Sequence, residues 1–139
     1  MNAFRAVFRL LLALWAGSAW SLAAWVTPTL FYAQDDRHLA GRLAARLFTI
    51  ETCVGLGVAA AALLLPEQRR FQWGYAAAGL LAANQWMLKP AMEMAQQRGN
   101  VLGLSFGAWH GVSALIFVAA CLALTVPVLR GSNEGMTRG

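Results

Sequence analysis

Four apolar segments, at roughly 7–33, 42–65, 71–89 and 105–129, fill nearly the whole chain. Each supplies about 20 residues of apolar helix, enough to cross a hydrocarbon core of about 30 Å. In lipid a spanning segment must satisfy its own backbone hydrogen bonds, so these segments read as helices. Composition agrees. The chain is 59% hydrophobic and 12% charged, whereas a soluble domain carries about 25% charged residues. The expected fold is all-α, a four-helix up-down-up-down transmembrane bundle. It forms one domain over residues 1–130, followed by a flexible polar tail at 131–139. The turns fall at 34–41, 66–70 and about 90–104. Connections this short make sequential helices antiparallel neighbours.

The net charge of +5 does not indicate nucleic acid. The basic residues flank the segments and form no stripe, which is the pattern of membrane topology rather than of phosphate binding. Arg5, Arg9, Arg69, Arg70, Arg130 and Arg138 share one side of a four-helix topology. Arg37, Lys89 and Arg98, with Arg42 and Arg46 at the mouth of the second segment, share the other. Six against five favours cytoplasmic termini. The start resembles a signal peptide, with two arginines, an apolar run and small residues near Ser21. The run stays apolar through Trp20 and Trp25 as far as Phe31, so it reads as an uncleaved first span. Cys53 and Cys121 lie within spans at different depths, and no disulfide is expected between them.

Helices in lipid associate through small residues. Gly103, Gly107 and Gly111 recur at every fourth position, and Gly55 and Ala59 occupy the second segment. The expectation is a flat groove along the fourth helix lined by its three glycines, with Gly55 among the small residues that the second offers for close contact.

The pointers to activity are polar residues inside apolar segments: Glu51, Asn84 and His110. At 1.5 Å of rise per residue they lie about 13 Å, about 8 Å and about 7–15 Å from the outer ends of their helices. An isolated charge at the bilayer centre costs about 3 kcal/mol on the insertion scale. These groups should therefore turn inward and meet. The expected cluster joins Glu51 to His110, directly or through water, with Asn84 nearby and Arg46 above Glu51 or extended to the interface. Facing carboxylate and imidazole groups can pass a proton, hold a cation or ligate a metal. The competing reading is a hydrogen-bonded clasp that fixes helix register.

Met92, Met94 and His38 fall on the expected outer face, and thioether and imidazole ligands suit Cu(I). The same residues also read as an interfacial amphipathic segment with Met as filler. His110 beside a glycine groove offers a haem axial ligand, but it is the only His within a span. No cofactor is assigned, and copper and haem are the two the residues admit. Ser105 and Ser113 near His110 do not make a nucleophile, and no phosphate loop is present. The chain therefore reads as a non-enzyme.

The stretches 14–18, 25–31, 84–90 and 106–113, taken in order, together resemble the transmembrane protein 205-like family. Leu14-Trp15-Ala16-Gly17-Ser18, Trp25-Val26-Thr27-Pro28-Thr29-Leu30-Phe31, and Ala40-Gly41 followed by Leu47-Phe48 are similar to its first half. Asn84-Gln85-Trp86-Met87-Leu88-Lys89-Pro90 with Met92 resembles its third-helix ending. Phe106-Gly107-Ala108-Trp109-His110-Gly111-Val112-Ser113 resembles its fourth-helix signature. The resemblance implies a four-helix integral membrane protein with a domain of unknown function. A looser likeness runs to copper-resistance D membrane proteins and to small four-helix haem proteins. The family pattern marks Pro28, Phe31, Gly41, Phe48, Asn84, Pro90, His110, Gly111 and Ser113. It departs at Phe117, where relatives often place Asn. The compact length and short loops point to a bacterial plasma membrane.

The function expected is a small multi-pass membrane protein with a polar site near the outer face, serving small-solute or metal handling. The alternatives are a structural subunit of a larger membrane complex and a haem- or copper-binding redox protein. The lipid bilayer is the expected partner, with a homo-oligomer or a larger membrane complex as further ones and no nucleic acid.

Overall fold

The computed structural model describes residues 2–64 and 71–136, with the side chains at 2, 5 and 131–136 excepted. The expected turn at 66–70 lies outside the described residues. So do Arg69, Arg70, Arg138 and the side chain of Arg5.

The chain folds into four helical rods. The first comprises α1 (Asn2–Ser21), a π turn at Leu22–Val26 and α2 (Thr27–Ala33). The second is α3 (Arg37–Ala62). The third comprises α4 (Gln72–Ala83), a second π turn at Asn84–Leu88 and α5 (Lys89–Arg98). A short hairpin of β1 (Asn100–Val101) and β2 (Leu104–Ser105) leads into α6 (Phe106–Met136). Helix α6 thus runs past residue 130, where the polar tail was expected to begin.

The two π turns have one cause. Proline has no N–H and its ring collides with the carbonyl four residues back, so it disrupts an ordinary helix. In the first rod Thr27, just before Pro28, donates its N–H to Leu22, five residues back. In the third rod Lys89, just before Pro90, donates to Asn84, again five back. Widening one turn to the i→i+5 pattern lets the helix continue past each proline. Pro28 therefore does not end the first helix.

Helix α3 starts where Asp36 caps it. The Asp36 carboxylate accepts the N–H groups of His38 at 2.8 Å and Leu39 at 3.2 Å, which satisfies two of the four orphan donors of a helix start. Helix α5 ends at Gly99, whose φ of 86° is open to glycine at little cost. The hairpin turn then takes positive φ at both Leu102 (53°) and Gly103 (77°), the pattern of a type I′ turn. Gly103 is therefore not part of the last helix. Ser105 caps that helix instead, its hydroxyl accepting the N–H of Ala108 at 3.3 Å.

Three helices are long and apolar enough to cross a membrane: Ala6–Ala33, Arg37–Ala62 and Phe106–Arg130. The third rod, expected as a fourth span, is not among them. Asn84 and Gln85 in its π turn, and Gln72 at its start, make it too polar to qualify on composition.

The core follows from small residues and a few aromatics. Helix α1 packs against α3 and α6, and α4 packs against the same two. Ala62, Ala77 and Ala120 are completely buried, so the helices approach closely through alanine. Larger side chains fill the remaining space. Phe8, Phe71 and Tyr75 form an edge-to-face stack, with ring centroids 5.3 Å and 4.9 Å apart. Phe48 meets Phe117 edge to face at 4.7 Å. Phe117 is thus a buried packing residue. Outward-facing Leu10, Leu14, Leu115 and Leu122 remain exposed, as lipid-facing side chains are.

Candidate functional site

Polar side chains join neighbouring rods at four places. On α1, the Ser18 hydroxyl lies 2.9 Å and 3.1 Å from the two carboxyl oxygens of Glu51 on α3. The Gln85 amide, in the second π turn, donates to the Thr49 hydroxyl on α3 at 2.9 Å. Next to it, Asn84 donates to the Ser113 carbonyl on α6 at 3.3 Å and accepts the Ser113 hydroxyl at 2.7 Å. The Trp20 indole on α1 donates to the Thr125 hydroxyl on α6 at 3.1 Å. Together the four joints close a ring through all four rods. Adjacent helical residues project about 100° apart, so Asn84 can face α6 while Gln85 faces α3.

Glu51 is the only ionisable group in the ring. It is 5% exposed and, with Thr52, one of two buried polar residues among those described. Trp15 lies beside it. Its indole sits against Gly55, one helical turn from Glu51, where a side chain at position 55 would collide with it. Trp15 is 1% exposed, and its indole N–H has no hydrogen-bond partner among the described residues. Completely buried Cys121 on α6 lies within electrostatic reach of Glu51.

The expected cluster is only partly assembled. His110 is exposed on α6 and stacks on Phe106, with centroids 6.1 Å apart. No hydrogen bond or ion pair joins it to Glu51 among the described residues. Phase along the helix explains this. Ser113, three residues after His110, faces Asn84, and the face carrying Gly107, His110 and Gly111 points away from the core. Gly111 has open space around it and Gly107 has only Ser105 within 4 Å, so the expected glycine groove receives no helix. Arg46 is exposed and makes no ion pair with Glu51 among the described residues. Of the four expected glycines, Gly55 alone is buried.

Ser18, Thr49, Gln85 and Thr125 take part in the ring although their types alone did not single them out. Their signal is a hydroxyl or amide side chain inside an apolar helix, with Thr49 two residues from Glu51 and Gln85 next to Asn84.

His38 and Met94 are exposed, on α3 and α5 respectively, and Met92 is half-buried. Among the described residues no group of three or more His, Cys, Asp or Glu side chains converges as metal ligands. Pro28 and Pro90 adjoin the π turns, and Gly41 and Phe48 are half-buried on α3. Phe31 is exposed.

Long apolar helices with polar groups paired between them define a small helical membrane protein. The chain matches the model of a domain of unknown function, DUF4149, over residues 10–127 and belongs to that family. No curated protein and no solved structure matches it.

Proposed function

We propose that this is a non-enzymatic integral membrane protein whose intramembrane polar site, centred on Glu51, handles a small polar solute or cation. Residues 1–130 form one domain of four crossings in an up-down-up-down bundle, with the termini in the cytoplasm of a bacterium. The likeness to the transmembrane protein 205-like family belongs to the same proposal. Alternation in direction is supported by register: Trp15 meets Gly55 and Ser18 meets Glu51, so α1 and α3 run in opposite senses.

One observation carries the functional reading. Three of the four joints are made from neutral amide, indole and hydroxyl groups. A clasp therefore needs no charge-bearing group in this molecule. The fourth joint nevertheless uses a carboxyl, the group with the largest cost of burial in lipid. Glu51 is thus better explained by binding than by helix register.

The test is flux through the reconstituted protein. Vesicles containing the wild type or Glu51→Gln are loaded with indicators for protons, monovalent cations, divalent cations and copper. The proposal expects wild-type flux of at least one of these, and loss of that flux in Glu51→Gln at unchanged helicity. Equal flux in both proteins, or none in either, contradicts it.

A further inference from the structure

The proton count at Ser18 is informative. A hydroxyl has one hydrogen to donate. The Ser18 hydroxyl oxygen lies 2.9 Å from the Trp15 carbonyl of its own helix and 2.9 Å and 3.1 Å from the two Glu51 oxygens. With an ionised carboxylate, three acceptors compete for that single hydrogen. With a neutral carboxyl there are two hydrogens: Glu51 donates to Ser18, Ser18 donates to Trp15, and only the second Glu51 oxygen is left without one.

Of the three other joints two follow that polarity, whereas at the third the Ser113 hydroxyl donates across the interface to Asn84. The Thr49 hydroxyl donates back to the Ala45 carbonyl at 2.9 Å and accepts from Gln85 across the interface. The Thr125 hydroxyl donates back to Cys121 at 3.0 Å and accepts from Trp20 across the interface. In both, the helix carbonyl takes the hydroxyl hydrogen and the partner rod supplies a donor. Glu51 stands in the donor's place opposite Ser18, and a carboxyl can donate only when it carries a proton.

The surroundings agree. An ionised group in apolar surroundings is tolerated when paired. Among the described residues no cation pairs with Glu51, and Arg46, on the same helix, is exposed. Helix α1 presents Ser18 and the indole of Trp15, and α6 presents Cys121. The only titratable side chain of α4 is Tyr75. None of these is a counter-ion.

We propose that Glu51 is a neutral carboxylic acid donating its proton to Ser18, which makes the seam between α1 and α3 an intramembrane proton-binding site. This deepens the function proposed above by naming the proton as the ligand, and it rests on Glu51 being the centre of that site.

Infrared spectroscopy of the protein in lipid vesicles at neutral pH tests it. The expected result is a carbonyl band of a protonated carboxyl group that shifts in heavy water and is missing from Glu51→Gln. Ser18→Ala keeps the carbonyl present but removes its hydrogen-bond acceptor, so the band should move to higher frequency. This second variant keeps the test decisive should Glu51→Gln fail to fold. Carboxylate bands alone in the wild type, or a carbonyl band that Ser18→Ala leaves in place, overturn the proposal. A protonated Glu51 in a protein with no flux upholds this inference and removes the transport reading. An ionised Glu51 in a protein with Glu51-dependent flux does the reverse.

Discussion

The indole of Trp15 occupies the space that a side chain at position 55 would need. Gly55 is buried on α3, and Trp15 is the largest fully buried side chain among the described residues. Contact between α1 and α3 therefore depends on one glycine accommodating one tryptophan. Overpacking a close-packed interface costs about 1–3 kcal/mol. Gly55→Ala should destabilise the protein by about that amount in a reversible unfolding assay in detergent or lipid. Gly111→Ala is the matched control. With open space around it, the added methyl should leave stability unchanged or raise it by about 0.5–1 kcal/mol through lower chain entropy.

Asn84 and Ser113 exchange two hydrogen bonds, one through the Ser113 hydroxyl and one through its carbonyl. Hydrogen bonds between membrane helices average about 0.6 kcal/mol and reach about 1.7 kcal/mol. Asn84→Ala should lie toward the upper figure because it removes both bonds. Ser113→Ala should cost less because the carbonyl remains. Unfolding of the two single variants gives the comparison, and equal costs would contradict the assignment.

The sequence made the helical class legible because apolar runs of spanning length have few other uses. It also marked Glu51 and Asn84 as inward-facing, since both interrupt such runs. Helical phase was harder to read. His110 and Ser113 are three residues apart, and a small rotation decides which of them faces the core. Gly103 looked continuous with Gly107 and Gly111 because spacing alone does not show where a helix starts. Ser105, a good capping residue, was the local signal that it starts later. The π turns shift the phase again, and no periodicity built on 3.6 residues per turn anticipates a five-residue step.

His110 should matter less than a buried histidine would. Its ring is exposed and stacks on Phe106, and an aromatic pair contributes about 0.5–1.5 kcal/mol at most. His110→Ala should lower stability by less than about 1 kcal/mol and leave the infrared signature of Glu51 unchanged. A change in that signature would show a coupling that the geometry does not contain.

Acid should loosen the start of α3. The N–H groups of Leu39 and His38 hold the Asp36 carboxyl below its ordinary value of 3.8. The folded value is depressed, so the cap contributes fully above 3.8 and is lost as pH falls through the lower folded value. Asp36→Asn keeps a capping oxygen that does not titrate there. Amide exchange at His38 and Leu39 should accelerate with falling pH in the wild type, relative to the intrinsic rate, and should not do so in Asp36→Asn.

Glu51 belongs to the seam between α1 and α3, through Ser18, and not to a cluster with His110. A double-mutant cycle in lipid measures this directly, using Ser18→Ala with Glu51→Ala and, in parallel, His110→Ala with Glu51→Ala. Coupling of about 0.6–1.7 kcal/mol is expected between positions 18 and 51, with none resolved between 51 and 110. Coupling of Glu51 to His110 in the absence of coupling to Ser18 would contradict the account.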